Sequence, residues 1–125
     1  MSNRPKARRV LGAPLAGANE GYVSVPAIIP DRLAEGAVEH ARKVTHDTLY
    51  QAYGPHLRSG VWWTEYVGAE AGRKYQQVCE DAGAEVDPEA QEILRADPRA
   101  MVVIAWAIAA DSAAAVPTRR SGWVR

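Results

Sequence analysis

Three histidines, one cysteine and fifteen acidic residues are the side chains of this 125-residue chain that could do chemistry beyond packing. His40 and His46 stand six residues apart, a rotation of about 240° on a helix, so they do not share a face as zinc ligands four apart do. His56 is isolated, and no HExxH pattern or Cys/His cluster occurs, so no metal site is expected. His46 and Asp47 read as a solvated pair on the polar side of a helix. Cys79 adjoins Val78 on an apolar stripe and reads as a buried, inert thiol. As the only cysteine, it excludes an internal disulfide. Carboxylates are dense from Glu80 to Glu92, but acid–base catalysis needs them shielded and with separated pKa values. Here they fall at helix ends and loops, where capping and solvation account for them. No glycine-rich phosphate loop or dinucleotide fingerprint is present. The expectation is a non-enzymatic protein without cofactors.

The remaining candidates are aromatic and basic, the side chains that anchor interfaces. Trp62 and Trp63 are adjacent, so one can enter the core while the other faces outward; Trp63 suits the core and Trp62 an interface. Trp123 lies near the C-terminus beside Arg119, Arg120 and Arg125. Arg4, Lys6, Arg8 and Arg9 cluster at the other end. These nine residues, Trp62 and the two terminal sets, are the expected partner-binding positions. Arginine with tryptophan suits a protein partner first and could also stack on nucleobases.

Apolar residues make up 47% and charged residues 24%, within the globular range, which argues against wholesale disorder. Residues 1–30 read as a basic, extended N-terminal arm. Within it Tyr22 to Val25 has strand composition, while Pro26 and Pro30 restrict it to an edge strand or a strap over a surface. Residues 31–116 read as a compact all-α, four-helix domain, and 117–125 as a short basic tail.

The first helix is expected over about Arg32–Tyr53. Asp31 would be its cap, Leu33, Ala37, Ala41 and Val44 its apolar stripe, and Glu39–Lys43 a favourable pair. Gly54-Pro55 ends it. The second is expected over about Val61–Ala82, with Trp63, Val67, Ala71, Tyr75 and Val78 on one stripe. Gly68 and Gly72 share a face there, which suggests close approach of another backbone. Asp87-Pro88-Glu89 opens a third helix, about Pro88–Ala96. Asp97-Pro98 opens a fourth, about Pro98–Ala115, apolar all round and therefore central. A buried strand over Val102-Val103-Ile104 is the alternative; alanine content, caps and length favour helix. The apolar run from Ala100 to Ala110 is too short to span a bilayer, and Asp111 follows it. The basic N-terminus lacks a secretory apolar run, so a cytoplasmic or virion location is expected and a membrane partner is not.

Lys and Arg together equal Asp and Glu, for a net charge of zero. That balance hides segregation: basic ends flank an acidic body, with seven acids against Arg95 alone between Glu80 and Asp97. Basic ends on an acidic body suggest extremities that order by docking on a neighbouring copy or another protein, with nucleic acid as the second candidate. Solvated, idle termini are the plain alternative. Sequence-specific DNA reading is poorly supported, because an all-apolar fourth helix cannot serve as a recognition helix. The expected role is a non-enzymatic assembly or adaptor protein acting as a homo-oligomer or within a larger particle. A small nucleic-acid-associated regulator is the alternative. Twelve arginines against three lysines fit a GC-rich coding genome, such as an actinobacterium or one of its viruses. In general design, though in no motif, the chain is similar to accessory and connector proteins of phage particles.

Overall fold

The computed structural model describes residues 9–10, 15–16, 21–82 and 84–109. In chain order the elements are β1 (Arg9–Val10), β2 (Leu15–Ala16), β3 (Tyr22–Ile29), α1 (Ala37–Tyr53), β4 (Trp62–Val67), α2 (Gly68–Ala82), α3 (Pro88–Ala96) and β5 (Met101–Ile108). The expected all-α architecture is therefore wrong. The protein is a mixed α/β fold around an antiparallel sheet ordered β3-β5-β4, with β1 and β2 both pairing the outer side of β3. β3 and β4 run parallel with β5 inserted antiparallel between them, so β3, α1 and β4 form a split β-α-β unit.

The strands sort their side chains by parity. Val23, Val25, Ala27 and Ile29 of β3 and Met101, Val103, Ala105 and Ala107 of β5 pack with Ala37, Ala41, Leu49 and Tyr53 of α1. Ile28, Val102 and Ile104 point to the other face and meet Ala71, Tyr75, Val78 and Cys79 of α2 and Ala90 and Leu94 of α3. A sheet covered on both faces needs apolar residues at every position of its central strand. This is why Met101–Ile108 reads as an unbroken apolar run and mimics a central helix. The expected fourth helix is thus β5. Its supposed cap serves a turn instead: Asp97 Oδ1 accepts from the Arg99 N–H at 2.9 Å, and the Ala100 N–H donates to the Asp97 carbonyl.

The expected second helix is also half strand. Trp62–Val67 consists almost entirely of aromatic and β-branched residues, which suit a pleated surface. Gly68, at φ +66°, turns the chain from β4 into α2. Gly68 therefore serves conformation rather than close packing, whereas Gly72 faces α3, where an added Cβ would lie 3.6 Å from Arg95 Cγ.

β3 is an inner strand rather than an edge or a strap, despite Pro26. The Ala109 N–H donates to the Gly21 carbonyl at 2.7 Å, so odd residues of β5 bond toward β3. By alternation Pro26, opposite Ile104, directs its nitrogen away from β5. On that side β2 pairs Val23 and Ser24 while β1 pairs Ala27 and Ile28, and Pro26 falls between them. The ring thus sits where no N–H is required of it. Gly21 permits the adjoining turn: its φ is +84°, and a Cβ there would lie 2.8 Å from the Ala109 carbonyl oxygen.

α1 begins at Ala37 rather than Arg32. Asp31 does not cap it but accepts from the Leu33 N–H at 3.0 Å and pairs with Arg99 at 3.6 Å, holding a turn whose Leu33 is exposed. Lys43 pairs with Asp47 at 3.1 Å. α3 spans the expected residues, and Asp87 Oδ1 caps it by accepting from the Glu89 N–H at 2.9 Å.

A candidate interaction edge along β4

β4 has β5 on one side and, among the described residues, no strand on the other. Which of its backbone groups face that open side follows from its neighbour. Ile108 of β5 directs its N–H to Ser59 Oγ and its carbonyl to the Arg58 N–H, both at 2.8 Å, so even residues of β5 bond toward β4. Their partners Trp62, Thr64 and Tyr66 are thereby committed to β5. Trp63 and Glu65 alternate with them and direct their N–H and C=O groups outward, as Val67 does its N–H, while the Val67 carbonyl accepts the first bond of α2.

Both sides of this edge carry aromatic rings. On the α1 side, Trp63 is half-buried, and its Nε1–H donates to Thr45 Oγ1 at 3.1 Å. Thr45 is fully buried and in turn donates to the Ala41 carbonyl at 2.8 Å, so the indole is positioned from inside α1. The Arg42 guanidinium lies 5.7 Å from the Trp63 ring centre and pairs with Glu65, its Nε 3.1 Å from Oε2. His46 stacks on Tyr50 at 4.5 Å between ring centres and lies 6.4 Å from Trp63. Tyr50, His46, Trp63, Arg42 and Glu65 thus form a ladder of planar groups beside the edge. Arg42, His46 and Tyr50 are one helical turn apart along α1, and Trp63 and Glu65 are two apart on β4, so all five converge.

On the opposite side Trp62 is 40% exposed and meets Tyr22, 41% exposed, edge to face at 6.2 Å. The Trp106 Nε1–H donates to Thr64 Oγ1 at 2.8 Å across β5 and β4. The Lys74 ammonium lies 5.4 Å from the Tyr66 ring centre, closing that side against α2.

Of the partner-binding residues expected from sequence, Trp62 lies on this edge and faces away from Trp63. Arg9 belongs to β1 by its backbone. Arg4, Lys6, Arg8, Arg119, Arg120, Trp123 and Arg125 lie outside the described residues. Because β1 and β2 pair with β3, part of the expected arm is engaged within its own chain and does not wait for a partner. Tyr22, Arg42, Glu65 and Trp106 were not singled out from sequence. Alternation within Trp62–Val67 is the signal that would have divided the ladder between two faces.

His46 Nδ1 and Asp47 Oδ1 are 3.3 Å apart at the surface. Hydrogen bonds from Lys43 and then His46 hold the Asp47 carboxyl below its ordinary value. Cys79 is fully buried, and burial pushes its thiol up to about 11. Tyr75 beside it is also pushed up by burial, and its hydroxyl accepts from the Asp87 N–H at 3.0 Å. A polar groove of about 510 Å³ along the outer face of α2, from Glu70 to Asp81, is lined by charged and amide side chains. No group of three or more His, Cys, Asp or Glu able to hold a metal ion occurs among the described residues. No described helix is long and apolar enough to cross a membrane.

No family model matches this chain, and neither a curated protein nor a solved structure does. The expected likeness to phage connector proteins therefore has no support.

Proposed function

We propose that this chain is a non-enzymatic adaptor or assembly protein that docks through the open edge of β4. One observation carries the reading: an edge that no strand pairs among the described residues, whose outward backbone groups are flanked on both sides by partly exposed aromatic rings. Proteins usually blunt exposed edges with lysine, proline or bulges. Here Trp62–Val67 contains none of these, and its single charged residue, Glu65, is paired with Arg42 of its own chain. Such an edge supports strand addition, in which main-chain bonds supply affinity and alternate side chains supply specificity. The basic arm and tail would add long-range attraction to an acidic partner surface.

The test compares wild type with Glu65→Pro, which deletes an outward N–H without touching the ladder to β5. Native mass is measured on full-length chain and on complexes isolated with it, and thermal melts confirm folding. Trp62→Ala is the second variant should the proline disturb the strand. The proposal expects an assembly heavier than one chain that dissociates with either substitution. Single chains in every preparation, or an assembly indifferent to both substitutions, would overturn it.

A further inference from the structure

We infer that the β4 edge pairs with the same edge of a second copy of this chain, in an antiparallel register centred on Thr64. The inference rests on the adaptor reading and names its partner. Two copies joining edges into one continuous sheet are related by a two-fold axis perpendicular to it. Such an axis keeps each face on its own side, so only residues of equal parity can lie opposite one another. Centres at Trp63, Thr64, Glu65 and Tyr66 remain within Trp62–Val67, and the outer two, Trp63 and Tyr66, engage only three residues of the strand where Thr64 and Glu65 engage five.

Centring on Glu65 sets two carboxylates directly opposite, a destabilising like-charge pair. Centring on Trp63 sets two indoles opposite, each already held by Thr45 and covered by Arg42, and pairs fewer residues of the strand. Centring on Thr64 meets neither objection. It places Trp63 opposite Glu65, both with outward backbone groups, in two symmetry-related pairs that each exchange two main-chain bonds. It places Trp62 opposite Tyr66, an aromatic pair on the α2 face. On the α1 face the Glu65 carboxylate of one copy comes against the Trp63 indole of the other, over which that copy's Arg42 lies. Two Arg42–Glu65 pairs then merge into a cluster of alternating charge. In this register the edge is its own complement in charge, in ring pairing and in backbone polarity, which is the reason for choosing a second copy as the occupant.

Thr64 lies on the dyad as a non-hydrogen-bonded pair, with Cα atoms about 4.5 Å apart, within the span of a disulfide. Full-length chain carrying Cys79→Ala and Thr64→Cys should form a cross-linked dimer under mild oxidation. Glu65→Cys in the same background should not, its two Cα atoms being about 8 Å apart. Without either cysteine, sedimentation should give a concentration-dependent dimer, and Trp62→Ala should raise its dissociation constant about tenfold or more. A purified chain that stays monomeric, with Thr64→Cys uncrosslinked, overturns self-pairing. The adaptor reading then still stands if a foreign partner is released by Glu65→Pro. A dimer that cross-links through Glu65→Cys and not Thr64→Cys overturns the register.

Discussion

Replacing Gly68 by alanine sets two readings of the same residues against each other. If residues 61–82 were one continuous helix, Gly68 would be interior, and alanine would stabilise by about 1 kcal/mol. In the structure Gly68 joins β4 to α2 at φ +66°. An L-residue in the left-handed region costs about 1–2 kcal/mol. No atom lies within 4 Å of the position a Cβ would take, so neither a clash nor a packing gain modifies that cost. Stiffening of the unfolded chain offsets about 0.4–1 kcal/mol, which leaves a net loss on the order of 1 kcal/mol. Gly72→Ala is the internal control. It is a true helix position, its Cβ would meet Arg95 Cγ at an ordinary 3.6 Å, and it should gain up to about 1 kcal/mol. Urea denaturation would read the contrast as midpoints displaced in opposite directions at unchanged slope. In thermal melts each kcal/mol corresponds to about 4 °C or somewhat more for a domain of this size. Parallel stabilisation by both substitutions would refute the strand-to-helix junction and, with it, the open edge.

Thr45→Val removes the acceptor of the Trp63 Nε1–H inside the α1 packing. It should cost about 1–3 kcal/mol and change tryptophan emission, since the indole loses its only described hydrogen-bond partner. Ile104→Ala empties a fully buried site of β5 against α2 and α3 and should cost about 2–5 kcal/mol in denaturant. Asp87→Ala deletes the side-chain cap of α3 and should cost about 1 kcal/mol by the same measurement. For Cys79, burial raises the thiol from its ordinary 9.0 to about 11, so the folded chain holds this proton more tightly than the unfolded chain. The resulting stability is complete below pH 9 and is lost as pH climbs through about 11. Native chain should therefore resist a thiol reagent at neutral pH and react on unfolding; rapid labelling of the folded chain would contradict its burial.

Local chemistry legible along the chain settled part of this molecule. Asp87-Pro88-Glu89 started α3 where expected, because a capping oxygen and a preset φ act within one turn and need no partner. Gly54-Pro55 closed α1, and the place of Cys79 on an apolar stripe next to Val78 marked a buried thiol. Trp62 and Trp63 do point to opposite sides, Trp62 exposed and Trp63 half-buried against the α1 core, although by strand alternation rather than helical rotation.

Tertiary structure decided the rest. Met101–Ile108 is apolar at every position, and a run without period suits a central helix and a doubly covered strand equally well. Only the presence of β3 and β4 as hydrogen-bonding neighbours, with α1 above and α2 and α3 below, selects the strand. Trp62–Val67 became β4 because β5 was there to pair with it and Gly68 could release the chain into α2. Pro26 entered an inner strand because its nitrogen faces the gap between β1 and β2, a fact of register that no window of sequence contains. A strand is stabilised by residues distant along the chain, whereas a cap or a stop acts on residues beside it; that difference in range separates what these 125 residues announce in order from what they settle only on folding.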